Sequence, residues 1–133
     1  MTHGDIDQKN LLLVDGQPML CDWDVASPLV PRREVADVAL SFAAWERFDI
    51  GREVISAYRL SGGELGELTP LDLAQPLMIG VDWIVLNIER ALRMRSVTDH
   101  EATLGYSLVA TLLQNLQRSI VLADDIGSLL TPT

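Results

Sequence analysis

A chain of 133 residues with nineteen acidic and ten basic residues, net charge −9, has no positive cluster to follow a phosphate backbone, which excludes a nucleic-acid-binding surface. Hydrophobic residues at 48% exclude general disorder, and aromatics at only 5% leave the core to Leu, Val, Ile and Ala, as in helix-rich proteins. The single Cys21 excludes an internal disulfide, and with no secretory leader pattern at the N-terminus a cytoplasmic location is expected.

The expected organisation is one domain over residues 1–133. After the opening stretch "HGDIDQKN" (His3–Asn10), "NLLLV" and "MLCDWDV" read as strands over 10–14 and 19–25, joined by the Asp-Gly turn of "DGQP". "ASPLVPRRE" holds two prolines and predicts a loop. From Arg33 to Phe48 the residues Val35, Val38, Ala39, Phe42 and Trp45 recur at helical spacing. "GREVISAYRL" predicts a shorter helix stopped by the glycines of "SGGELG".

In "TPLD", Thr69 caps, Pro70 takes the first helical position and Asp72 favours the positive end, so a long helix is predicted to run to about Arg95. Its apolar run is interrupted by Asp82 and Asn87, which predicts a buried helix and not a membrane span. "TDHE" (Thr98–Glu101) matches a capping box and opens a last helix to roughly Leu122. The predicted fold is α+β, mainly α: a β-hairpin followed by about four helices.

If the hairpin folds back beside the opening loop, Asp5, Asn10 and Asp22 bring three oxygen-bearing side chains together. Hard cations such as Mg2+ take carboxylate and carbonyl oxygens, commonly one or two side chains plus substrate phosphates. Phosphoryl transfer asks a protein mainly for positioning and charge neutralisation, with a base for the attacking hydroxyl. The protein-kinase signature H-R-D-L-x-x-x-N, followed by D-F-G, sets those roles in this order.

"HGDIDQKN" followed by "CDWD" repeats the first spacing, and "REVADVALSFAAW" adds Asp37, Val38 and Ala39 in an Asp-hydrophobic-Ala pattern. In these three ordered blocks, over roughly residues 2–45, the chain resembles the aminoglycoside phosphotransferase family of small-molecule kinases. To about residue 124 the likeness continues only as a helical pattern. The resemblance implies the C-terminal lobe of a kinase-like fold. It implies Asp5 as catalytic base, Asn10 and Asp22 as Mg2+ ligands, His3 as loop scaffold, and Asp37 as an anchor through the loop amides or His3. Asp24 and Asp82 are candidate further contacts to metal or substrate.

ATP or GTP as phosphoryl donor, Mg2+ as cofactor and a small-molecule hydroxyl as acceptor follow from the same resemblance, and the charge of −9 tilts the acceptor toward a cation. The family's nucleotide-binding lobe, with its strand-borne Lys and partner Glu, has no counterpart in this sequence. The chain is therefore expected to be one lobe of a longer enzyme, inactive by itself and with apolar surface around the hairpin and Trp23 open to self-association. A remnant or interaction module keeping the lobe fold is the alternative. A third reading takes His3, Asp5 and His100 as an iron-binding two-His, one-carboxylate triad, but such sites need a β-rich scaffold.

Overall fold

The computed structural model describes residues 1–131. Among them the chain is α+β and mainly helical, with one two-stranded antiparallel hairpin and five α-helices. In chain order these are β1 (Leu11–Val14), β2 (Gln17–Leu20), α1 (Pro31–Phe42), α2 (Phe48–Leu60), α3 (Ala74–Ala91), α4 (Asp99–Asp124) and α5 (Ile126–Leu130), with 3-10 turns at Gln8–Asn10 and Pro70–Leu73. They form two compact units, Met1–Leu73 with residues 125–131, and Ala74–Asp124.

In the first unit, β1 and β2 pair with Leu11 opposite Leu20 and Val14 opposite Gln17. Asp15 and Gly16 form the turn at φ 51° and 77°, the left-handed pair that the right-handed twist of a hairpin requires. The second strand stops at Leu20 and does not run to residue 25 as predicted. Cys21 gives its N–H to the Asn10 carbonyl at 3.0 Å, and Asp22 at φ 66° then turns the chain out of the ladder.

Helix α1 starts on Pro31, whose missing N–H is harmless at a first position. It ends at Phe42, short of the predicted Phe48. The N–H of Trp45 bonds the Leu40 carbonyl and that of Ala44 the Ser41 carbonyl, both at 3.0 Å, with Ala44 at φ 49°. That is a Schellman stop made without glycine. Helix α2 ends the same way at Gly62, φ 87°, where the sequence does supply the glycine.

Ala36, Ala39, Leu40 and Ala43 are completely buried, and the small residues let α2 approach α1 closely. A Cβ on Gly51 would lie 2.6 Å from Leu130 Cδ2 and 3.2 Å from the Ala39 carbonyl, so α1, α2 and α5 meet at that glycine. Ile55, Leu73, Ile126 and Leu130 complete the core. Each contributes about 1.5–3 kcal/mol by leaving water.

Asp72, expected at the positive end of a helix start, is buried at 1% exposure. Its Oδ2 accepts the N–H and hydroxyl of Thr69 at 2.8 and 3.0 Å, and its Oδ1 accepts Arg32 Nε at 2.8 Å. Burial works to raise this carboxyl, but the hydrogen bonds from Thr69 and Arg32 outweigh it and hold it below the usual range. Asp72 is therefore an internal tie between α1 and the 3-10 turn.

In the second unit α3 and α4 run antiparallel, with Gly80 beside Leu116 at one end and Gly105 against Asn87 at the other. A Cβ on Gly105 would stand 2.7 Å from the Asn87 carbonyl, which fixes this crossing. The predicted capping box forms: Glu101 Oε2 accepts the N–H and hydroxyl of Thr98 at 2.8 and 2.7 Å. Helix α3 ends at Ala91 and not Arg95, on a second glycine-free Schellman stop with Arg93 at φ 54°. Pro76 falls within its first turn, where no intrahelical partner is lost.

The expectation that this helix is buried is overturned. Met78, Ile79, Val81, Trp83 and Val85 are exposed, and only Ile84 and Asn87 are fully covered. The stretch Pro70–Ala91, mean hydropathy 1.3, is long and apolar enough to cross a membrane by length and composition. Asp82, exposed in its middle, would be costly there.

Candidate functional site

The opening loop is clamped at both ends and across its middle. At one end Thr2 and Ser27 exchange backbone hydrogen bonds of 2.9 and 3.2 Å, and at the other Cys21 bonds Asn10. Between them lies His3, 2% exposed, with its Nε2 donating to the Cys21 carbonyl at 2.9 Å and its Nδ1 accepting the Asp5 N–H at 3.3 Å. Those partners assign the tautomer with the proton on Nε2. His3 thereby joins the residue before Asp22 to Asp5 itself, and Trp23 packs edge-on against its ring at 4.6 Å.

Gly4 sits at φ 87°, and a Cβ there would fall 2.8 Å from the Val25 carbonyl, so the residue between His3 and Asp5 must be glycine. Its N–H donates to Glu34 Oε1 at 2.6 Å. The carboxylate that holds the loop backbone from α1 is thus Glu34, which the sequence reading missed; nothing local marks a contact thirty residues away.

Asn10 is 5% exposed and gives its Nδ2 to both the carbonyl and the Oδ2 of Asp5, at 2.8 and 3.0 Å. That explains the five-residue spacing: Asp7 accepts the Gln8 N–H and caps the 3-10 turn, which swings Asn10 back over Asp5. With its nitrogen committed, the amide oxygen of Asn10 is the atom left for a cation. Lys9 Nζ lies 3.1 Å from Asp5 Oδ2, a second residue the sequence reading passed over.

Asp22 and Asp24 are exposed, on the turn after β2 and not within the strand predicted over 19–25. A hydrogen bond between their carboxyls raises Asp22, the charge of Asp24 adds to it, and Asp5 acts in the same direction. Asp5 and Asp22 are therefore electrostatic neighbours. Asp22 and Asp24 together concentrate negative charge on this turn, which attracts a cation.

Asp37, one turn beyond Glu34 on α1, is pushed up to about 6 by burial first and then by the charges of Asp5, Asp7 and Glu34. Asp82 stands apart from these in sequence and unit, exposed on α3 of the second unit. His100 is exposed inside the capping box. Cys21 Sγ points to the Asn10 carbonyl at 3.2 Å, a structural contact beside the loop.

Among the described residues no group of three or more His, Cys, Asp or Glu is placed to hold a metal ion. The donors that the resemblance assigns to Mg2+ are fewer: the oxygens of Asn10 and Asp22, beside Asp24. They fit a hard dication in kind, being oxygen only and carrying more negative charge than Lys9 offsets. Comparison with protein-family models, curated proteins and solved structures finds no match to this chain.

Proposed function

We propose that residues 3–24 form the phosphotransfer loop of a small-molecule kinase, acting on an alcohol with ATP or GTP as donor. The observation that carries this reading is the double hold of Asn10 on Asp5, together with the His3 ring that ties the Asp5 N–H to the Cys21 carbonyl beside Asp22. Asp5 receives the proton of the acceptor hydroxyl as its oxygen attacks the terminal phosphorus. The bond from that phosphorus to the bridging oxygen breaks, and the nucleoside diphosphate leaves.

His3 and Asn10 do not touch the reacting atoms; they fix the backbone and carboxylate of Asp5, so that the base meets the hydroxyl without reorganising. Asn10 and Asp22, with Asp24 beside them, would hold Mg2+, which when bound neutralises charge on the phosphate oxygens. Asp24 and the net charge of −9 favour a cationic acceptor.

In a polypeptide that joins this chain to a nucleotide-binding lobe, Asp5→Ala is expected to lower transfer from ATP to the acceptor by about 10²–10⁴-fold. Unchanged turnover overturns the reading.

A second reading, an interaction module that keeps the lobe fold without catalysis, is favoured by the hairpin. Leu13, Met19 and Trp23 are 76%, 51% and 55% exposed. Micromolar affinity of the 133-residue chain for Mg·ATP would contradict it.

A further inference from the structure

Lys9 is the one lysine in the chain, and it stands immediately before Asn10. Its Nζ reaches back one turn to Asp5, 3.1 Å from Oδ2 and 3.5 Å from Oδ1. The side chain is 61% exposed, so charge and not packing keeps it there. Asp7 and Asp22 attract the same ammonium. A dication held by Asn10 and Asp22 would be drawn to this same group of carboxylates, and two cations sharing it repel each other.

We propose, on the strength of the phosphotransfer reading, that Lys9 is the resident counter-cation of Asp5 and competes with the divalent cation for the loop. An exposed ion pair of this kind is weak and screened by salt, which suits an ion that must give way. Lys9 is then a positioning residue: it holds the base in the empty loop and releases it as metal enters. A merely solvated lysine would leave metal affinity unchanged.

The test uses Mn2+ alone, with free ion measured by electron paramagnetic resonance, on the wild-type chain, Lys9→Ala, Lys9→Arg and Asp22→Ala. Lys9→Ala is expected to bind Mn2+ about 3–10-fold tighter at low ionic strength, a gain that shrinks as salt is added. Lys9→Arg is expected to match wild type. As a second readout, lysine labelled with 13C at Cε gives one side-chain signal, which Mg2+ should move toward its position in the Asp5→Asn chain.

Wild-type affinity in Lys9→Ala, or a lysine signal unmoved by saturating Mg2+, while Asp22→Ala has lost Mn2+, overturns the role of Lys9 and leaves the metal reading standing. Wild-type binding in Asp22→Ala, or no Mn2+ binding by the wild-type chain, overturns both.

Discussion

Asn10 holds Asp5 twice through one nitrogen, 2.8 Å from its carbonyl and 3.0 Å from its carboxylate. Replacing Asn10 with Ala leaves that half-buried carbonyl without a partner and frees the carboxylate to rotate. The expected loss is about 1–3 kcal/mol of stability, read by urea denaturation. Asn10→Asp is expected to be worse than Ala, because it sets a second negative charge against Asp5.

Burial, followed by the charges of Asp5, Asp7 and Glu34, lifts Asp37 to about 6, above the ordinary carboxylate value of 3.8. A carboxyl raised on folding opposes folding where it is ionised, and the penalty fades as pH falls from 6 toward 3.8. Asp37→Asn is therefore expected to be more stable than wild type at pH 7.5, on the order of 1–2 kcal/mol. Denaturation curves for the two chains should converge below about pH 4, where both states of the wild type are protonated.

Asp72 has the opposite sign. Its hydrogen bonds from Thr69 and Arg32 hold it low, so its contribution is present at neutral pH and lost as acid protonates it. Asp72→Ala strands the Thr69 N–H and removes the partner of Arg32, for an expected loss of about 2–4 kcal/mol at pH 7 in thermal or urea denaturation.

Gly4→Ala places a Cβ 2.8 Å from the Val25 carbonyl at φ 87°. The expected cost is about 1–3 kcal/mol. Amide chemical shifts should change through residues 3–5 and 24–26 while those of α4 stay in place, because the strain is confined to the clamped loop.

Features written in local chemistry were legible in the sequence. The Asp15-Gly16 turn, the Gly62 stop of α2 and the Thr98–Glu101 box each form as their residue types demand. The ends of α1 and α3 were not legible, since Ala44 and Arg93 adopt left-handed conformations that neither residue type signals. Apolar periodicity ran past both stops.

The Asp5–Asn10 pair could be read because a short 3-10 turn closes its spacing. Glu34 and the pairing of half-exposed Arg32 with buried Asp72 could not, for both depend on α1 packing against segments distant in the chain. The periodic apolar face of α3 promised burial, yet α4 covers only a narrow stripe of it.

Paramagnetic broadening of backbone amides by Mn·ATP in the 15N-labelled chain tests directly whether the metal sits in the loop. Selective loss of signal at residues 4–10 and 21–24, abolished by Asp22→Ala, is the predicted result. Broadening spread over other exposed acids such as Asp82 and Asp124, and indifferent to Asp22→Ala, would contradict the account.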